Sequence, residues 1–270
     1  MARGLITWGR LRGPDFTKVH PDVYVGSAVD LDAYVRVRAL RVWSAGVGIV
    51  AGPLAALAWE AECPWADGEL IVPDHARAPA ADVRLRVDDL PLEEVAPLYD
   101  AWVTTPVRTA FDLARRTPLV DAVAAVDALA FACRLTAGDL RRVVDHHPGA
   151  RELVRVRRVL ELMDPLAESC METRTRLALV LRGVPAPVSQ FEVVLPSGKR
   201  ARLDLAWPAA LVAVEYDGPE HRSITGQNRD AFRNEGLDDL GWDVLHVTSA
   251  MVLDPVAADR FAARVARKLR

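Results

Sequence analysis

Three short apolar segments separated by tight turns constrain the fold of this chain more than any other feature. They cover residues 191–195, 200–207 and 211–217, and the turns between them contain PSGK and PAA. Connections this short favour antiparallel strands that lie side by side. A predicted helix precedes these segments, and a helix, a strand in WDVLHVT and a closing helix follow. The order is therefore helix, three strands as a meander, helix, strand, helix.

The first 150 residues have a different pattern, with short strands early and helices later. Alternating apolar and arginine residues in VRLRV, at 83–87, predict a strand, and Thr136 is a suitable N-cap for a later helix. The turn pair Pro148–Gly149 after that helix predicts a boundary. We therefore expect an α+β region at 1–150 that is largely helical in its middle, and a second domain at 151–270.

The composition limits the class of protein. The 270 residues are 51% hydrophobic and 26% charged, which is typical of a globular chain rather than a disordered one. The net charge of -3 provides no global attraction to a polyanion. Any nucleic-acid site must therefore be a local patch.

The chain carries no pattern typical of a membrane segment or of export. The longest apolar run, residues 42–59, contains glycines and a proline that disfavour a membrane-spanning helix, and residues 1–13 lack the apolar core of a signal peptide. Cys63, Cys133 and Cys170 are far apart and odd in number, which argues against a disulfide framework and a structural zinc site. We expect a cytoplasmic protein.

The third strand-like segment carries acidic residues between apolar ones. Because side chains alternate along a strand, Glu215 and Asp217 are predicted to point to the same face. Asp204 lies on the polar side of the preceding strand. If the two strands pair antiparallel, Asp204 lies beside the face that carries Glu215.

Clustered carboxylates need a compensating charge, because each raises the pKa of its neighbours. Oxygen ligands with few histidines and no thiolates favour Mg²⁺ or Mn²⁺, and such an ion can activate water to attack a phosphodiester. In an alternative interpretation, Asp217 and Gly218 merely end the strand and Glu215 pairs with an arginine. A glycosidase that uses Asp204 and Glu215 is disfavoured, since few aromatic residues accompany them.

Four segments in roughly the last 100 residues form a pattern together: ESCMETRTR at 168–176, RLDLAW at 202–207, VEYDGPEH at 214–221 and RDAFRNEGLDDLGWDVLHVT at 229–248. Their order resembles the restriction-endonuclease-like superfamily, PD-(D/E)XK, and within it the bacterial domains related to the very-short-patch repair endonuclease. The resemblance implies an α/β domain with a central mixed sheet flanked by helices. It also implies a divalent-metal-dependent DNA endonuclease.

The resemblance implies a role for each matching residue. Asp204 and Glu215 would bind the metal ion, Mg²⁺ or Mn²⁺, and Glu172 on the preceding helix would complete its shell. His221 would assist the chemistry, as the histidine after the DG pair does in the repair-endonuclease branch. Contacts with DNA would come from Arg202, Arg229 and Arg233.

This sequence departs from the family pattern at one catalytic position. The lysine that the family usually has two residues after the second acid is replaced by Asp217. Either Lys199 or His221 fills that catalytic role, or the domain no longer cuts DNA. The candidate catalytic set therefore comprises Glu172, Lys199, Asp204, Glu215, Asp217 and His221.

Some of these residues also have local interpretations. Ser169 and Glu172 have the spacing of a capping box at the start of a helix, and Glu172 can also pair with Arg176 one turn later. Arg229 and Arg233 are typical of a solvated helix face as well as of a phosphate contact.

The N-terminal part carries a second resemblance. VTTPVRTAFDLAR at 103–115 is similar to a segment of actinobacterial proteins that join a nuclease-like tail to an abortive-infection-type antitoxin region. This resemblance implies a toxin partner. Two functions follow from the sequence: a DNA endonuclease, or an inactive nuclease-fold module that acts as a DNA-binding or antitoxin-type regulatory protein.

Overall fold

The chain combines eleven helices with eleven strands in the residues described by the computed structural model, which are 6–62, 65, 67–73, 83–218 and 224–270, with backbone only for 224–231. The helices are α1 (Trp8–Leu11), α2 (Ala33–Trp43), α3 (Gly52–Ala58), α4 (Pro106–Arg116), α5 (Leu119–Cys133), α6 (Ala137–His146), α7 (Leu153–Leu162), α8 (Cys170–Val180), α9 (Ile224–Asp239), α10 (Ser249–Leu253) and α11 (Pro255–Lys268). The strands are β1 (Phe16–His20), β2 (Val23–Gly26), β3 (Ile49–Ala51), β4 (Gly68–Val72), β5 (Val83–Val87), β6 (Val95–Leu98), β7 (Ala101–Thr104), β8 (Val188–Val194), β9 (Arg200–Trp207), β10 (Val212–Tyr216) and β11 (Asp243–Val247).

The N-terminal part contains a five-stranded sheet and a separate hairpin of β1 and β2. The larger sheet has the order β5-β4-β3-β7-β6 and mixes parallel with antiparallel pairs. Helices α2 and α3 bury Leu40 and Leu54 in one core with Leu70 and Val103 of the sheet. The strand predicted in VRLRV is β5, at the edge of this sheet.

The middle of the chain is helical, as predicted. Helix α5 is buried over residues 122–130, where small alanine and valine side chains let neighbouring helices approach closely. Helices α4, α6, α7 and α8 contribute to the same apolar core. Thr136 begins α6 with a capping box, because it accepts from the N–H of Asp139 while Asp139 accepts from the N–H of Thr136.

The C-terminal part contains a four-stranded mixed sheet of order β11-β10-β9-β8. Strands β8, β9 and β10 form the predicted antiparallel meander, and β11 runs parallel to β10. Phe261 of α11 and Leu179 of α8 pack in the core on one side, whereas Leu237 of α9 packs in the core on the other. The predicted mixed sheet flanked by helices is therefore confirmed, while its assignment to the nuclease fold stays a prediction.

A buried ionic contact joins the middle of the chain to the C-terminal part. Asp127 on α5 is fully buried and accepts hydrogen bonds from Arg176 at 2.7 Å, Thr173 at 2.9 Å and the backbone N–H of Asp164 at 2.7 Å. Burial raises the pKa of Asp127 to about 7, although these donors oppose the shift. The contact crosses the predicted boundary at 150/151, which itself stays a prediction.

None of the helices in the described part of the chain combines the length and the apolar character that a bilayer-spanning helix requires. Cys133 and Cys170 are free thiols, and Cys63 lies outside the described residues.

Candidate functional site

Asp204 and Glu215 lie side by side at the ends of neighbouring strands. In the antiparallel pair, Val212 is opposite Trp207 and Val214 is opposite Leu205. Continuing this register by one residue places Glu215 opposite Asp204, and residues directly opposite one another point to the same face of a sheet. The backbone N–H of Tyr216 donates a 3.0 Å hydrogen bond to Oδ2 of Asp204.

The carboxyl of Asp204 lies in an unfavourable place for a negative charge. Burial raises its pKa above the ordinary value, and the charge of Glu215 adds to the increase, although the hydrogen bond from Tyr216 opposes it. The pKa of Glu172 is raised first by burial and then by the charge of Asp204. Asp204 is therefore close enough to Glu215 for the charge of Glu215 to raise its pKa, and close enough to Glu172 to raise the pKa of Glu172.

Glu172 is held at the start of α8 by local hydrogen bonds. Its N–H donates to Oγ of Ser169 at 3.1 Å, which is one half of the predicted capping box. Its carboxylate accepts from the N–H of Glu168 at 3.1 Å rather than from that of Ser169, and also from Nε2 of Gln190 at 2.7 Å. The pairing with Arg176 considered from the sequence is absent, since Arg176 is bound to Asp127.

Glu215 is neutralised by an arginine of α9. Arg233 donates from Nη1 to Oε2 at 3.0 Å, and its Nη2 donates to the other carboxylate oxygen. The same Nη2 donates to the carbonyl oxygen of Arg202 at 2.8 Å. Arg233 thus contacts both strands that carry the acids. The pairing of Glu215 with an arginine agrees with the alternative interpretation of the sequence.

The remaining predicted residues are spread around this site. Lys199 lies in the exposed turn before β9, five residues from Asp204, which corresponds to roughly 16 Å along an extended strand. Oδ1 of Asp217 lies 3.0 Å from Nδ1 of His246, and Arg202 donates to Glu168 at 2.6 Å. His221 and the side chain of Arg229 lie outside the described residues.

The acids in the described ranges do not fit a metal centre in their present arrangement. No group of three or more His, Cys, Asp or Glu side chains there is placed to hold a metal ion. Beside Glu215, the guanidinium of Arg233 supplies the positive charge that Mg²⁺ or Mn²⁺ was expected to supply.

A second polar feature lies around α4 and was not singled out from the sequence. Asp112 is buried and accepts from Nη2 of Arg86, Nε of Arg108 and Nη2 of Arg115, at 2.7, 2.9 and 2.7 Å. Nε of Arg116 lies 4.0 Å from the same carboxylate. We call these four arginines and Asp112 the arginine cluster.

The arginine cluster is stabilised by its own ion pairs. Burial opposes ionisation of Asp112, but the hydrogen bonds and charges of its arginine neighbours more than offset it, and its pKa is held well below the usual range. Arg108 also donates to Asp88 at 2.7 Å and to Glu94. The signal in the sequence was the i, i+4, i+7 spacing of Arg108, Asp112 and Arg115, together with the alternating arginines of VRLRV.

Comparison with known proteins supports the second of the two resemblances. Residues 50–162, which contain the segment at 103–115, match the family model described as the AbiEi antitoxin C-terminal domain. This match supports the antitoxin-like part of the prediction, and none of the matches supports the nuclease superfamily. No solved structure matches the chain.

Two curated relatives come from Mycobacterium tuberculosis, one from strain CDC 1551 / Oshkosh and one from strain H37Rv, and each bears the name of an uncharacterized protein. Each is 34% identical to this chain over 169 residues, which cover 62% of this chain. The matched range spans 61% of the length of these relatives.

Proposed function

We propose that the protein is an antitoxin-type regulatory protein whose residues 50–162 bind and neutralise a protein toxin. The match of this range to the AbiEi antitoxin C-terminal domain is the observation that carries the proposal. The range runs from β3 to α7, and its helices share one apolar core. A rigid surface built on such a core suits recognition of a folded protein partner.

Two exposed aromatic side chains in this range are candidates for the toxin contact. Trp102 on β7 is 54% exposed, and Phe131 near the end of α5 is 47% exposed. Tryptophan is enriched among the residues that contribute most to protein interfaces, because it buries a large area at little cost in conformational entropy. We expect Trp102 to contribute more than Phe131.

The test is rescue of growth in a bacterium that expresses a candidate toxin, the product of the gene adjacent to the one for this protein. Co-expression of the full chain should restore growth, and Trp102→Ala should weaken rescue. Trp8→Ala is the matched control, since Trp8 is 49% exposed and lies outside the matched range. Absence of rescue by the wild-type chain would contradict the proposal for that toxin, and equal rescue by both variants would exclude Trp102 from the contact.

A metal-dependent DNA endonuclease is the second candidate function. The observation that favours it is the position of Asp204 beside Glu215 and close to Glu172, with a raised pKa on Asp204. Mg²⁺ or Mn²⁺ and DNA are the cofactor and the partner of this proposal. For a metal ion to bind there, Arg233 would first have to release Glu215.

Nicking of supercoiled plasmid DNA with Mg²⁺ or Mn²⁺ tests the second candidate. Cleavage by the wild-type chain that is lost in Asp204→Ala would support it. Retention of DNA without cleavage under both metals would instead support a non-catalytic DNA-binding module.

A further inference from the structure

An arginine-lined cleft lies between β5, α4 and the segment that joins α6 to α7. Its volume is about 1030 Å³, near the upper end of what small-molecule sites typically have. Seven arginines and three acids line it, although the whole chain has a net charge of -3. The cleft therefore concentrates positive charge in a concave part of a mildly acidic protein.

The four arginines of the arginine cluster line the cleft. Four guanidinium groups surround the single carboxylate of Asp112, and Arg116 has the most distant place at 4.0 Å. The other nearby acids are already engaged, because Asp88 and Glu94 both accept from Arg108. Glu69 lies 3.2 Å from Nε of Arg86, and Glu152 lies 3.9 Å from Nη2 of Arg155. Burial lowers the pKa of Arg116, and the charges of Arg86 and Arg115 lower it further. Arg116 is thus crowded by cations, with partial compensation from Asp112 and Glu69.

Arg115 of the arginine cluster and the additional Arg151 both line the cleft and have unused hydrogen-bonding capacity. Arg115 is 8% exposed, and its buried Nε has no hydrogen-bond partner among the described residues. Arg151 is exposed at the cleft wall, and its guanidinium forms no ion pair within the described ranges. A buried donor without an acceptor is unfavourable unless a ligand or water supplies one.

The shape of the cleft limits the kind of anion that fits. Phe111 lies at the cleft but is only 1% exposed: His147 stacks on its ring at a centroid distance of 5.4 Å and an interplanar angle of 27°, and the guanidinium of Arg115 lies 4.6 Å from the centre of the ring. The guanidiniums rather than the ring are therefore what the cleft offers to a ligand. A DNA duplex presents its phosphates on a convex surface, on either side of grooves roughly 6 to 12 Å wide, and is poorly matched to such a recess.

We propose that this cleft binds a small anion with two or more linked phosphate groups, the chemistry that inorganic pyrophosphate shares with nucleoside diphosphates and triphosphates. Guanidinium groups recognise phosphate oxygens by paired hydrogen bonds, and several of them accommodate linked phosphates better than a single one. In this arrangement Arg116 and Arg151 contact the phosphates directly. The cleft lies within the range proposed to bind a toxin, but neither Trp102 nor Phe131 lines it.

Calorimetric titration of the full chain tests this proposal, with inorganic phosphate, pyrophosphate, ATP and a short DNA duplex as separate probes. We expect saturable binding of pyrophosphate and ATP at one site per chain, and weaker binding of phosphate. Arg116→Gln and Arg151→Gln should each weaken binding roughly tenfold, as expected for loss of one charge-assisted contact. Arg157→Gln is the matched control, because Arg157 is exposed on α7 and does not line the cleft.

Arg116 and Arg151 are exposed, so their substitution leaves the core unchanged. Urea midpoints equal to that of the wild type would verify that both variants fold. Thermal protection of the wild-type chain by pyrophosphate, relative to sodium chloride of equal ionic strength, provides a second measurement. Three results would overturn the proposal: no saturable binding of pyrophosphate or ATP, equal affinities in the cleft variants and the control, or binding of the duplex alone.

Discussion

Arg233 holds Glu215 with both of its terminal nitrogens, one of them at 3.0 Å, and so ties α9 to the end of β10. Arg233→Ala leaves a half-buried carboxylate beside Asp204 without its main cation. We expect a loss of about 1–3 kcal/mol in the free energy of unfolding. Urea denaturation measures it, and Arg264→Ala on the exposed face of α11 is the control. A loss no larger than that of the control would show that the pair contributes little to stability.

Asp204→Asn tests whether burial, together with the charge of Glu215, disfavours ionisation of Asp204 in the folded protein. The raised pKa of Asp204 means that the unfolded chain releases this proton first as pH increases, so ionisation favours unfolding from about pH 4 upwards. Asparagine retains an acceptor for the N–H of Tyr216 but removes the charge. We therefore expect the variant to gain stability relative to the wild type as pH rises above 4.

The same variant also tests whether a metal ion binds at Asp204. Urea midpoints of both proteins are compared across the pH range, with and without millimolar Mg²⁺ or Mn²⁺, and Asp145→Asn on exposed α6 is the control. Stabilisation of the wild type by either metal, absent in Asp204→Asn, would support the second candidate function. A stability difference between the two proteins that does not change with pH would contradict the raised pKa of Asp204.

Asp127→Asn tests the buried carboxyl that joins α5 to α8. Its pKa is raised from 3.8 to about 7, so stability that depends on the protonated form is lost as pH rises through this window. The variant cannot titrate there. The stability of the wild type relative to the variant should fall by up to roughly 4 kcal/mol between pH 4 and 7, since one pKa unit corresponds to about 1.4 kcal/mol.

Thermal or urea unfolding at several pH values provides the measurement for Asp127→Asn. If the stability difference between the wild type and the variant is constant across this range, Asp127 is ionised throughout, because Arg176 stabilises its charged form. In that event the pKa of Asp127 would not be raised, and the ionic contact would be a permanent ion pair.

Gly52→Ala and Gly46→Ala distinguish backbone strain from a steric clash. Both glycines have positive φ, +61° and +76°, where a side chain costs about 1–2 kcal/mol. A Cβ at Gly52 would lie 2.9 Å from Oε2 and 3.2 Å from Cβ of the buried Glu69, whereas nothing lies within 4 Å of one at Gly46. Gly52→Ala should therefore lose more stability than Gly46→Ala in urea denaturation. Equal losses would show that Glu69 moves aside freely.

Much of the C-terminal architecture follows from local sequence rules. The turns PSGK and PAA favour antiparallel neighbours, and alternation then places Glu215 and Asp204 on the same face. Continuing the observed register by one residue gives the same placement. The predicted helical middle includes α5, whose apolar residues are bounded by Pro118 and by Arg134 in a left-handed conformation.

Other features depend on contacts between distant segments and leave little trace in the sequence. Strand β6 (Val95–Leu98) was not predicted. It contains Pro97, and it lies at the edge of its sheet, where a missing N–H is tolerated. The partner of Glu215 is eighteen residues away on a helix, and no spacing rule selects Arg233 among several arginines. The cleft likewise forms only when β5, α4 and the segment after α6 come together.

The buried contact of Asp127 also determines how much of this chain is needed for a stable antitoxin segment. A chain that stopped at residue 162 would keep the whole matched range, yet it would lose Asp164, Thr173 and Arg176, which supply all three hydrogen bonds described for that carboxyl. It would also open to water the side of α5 that α8 covers. The segment recognised as antitoxin-like is thus thermodynamically dependent on the residues that follow it.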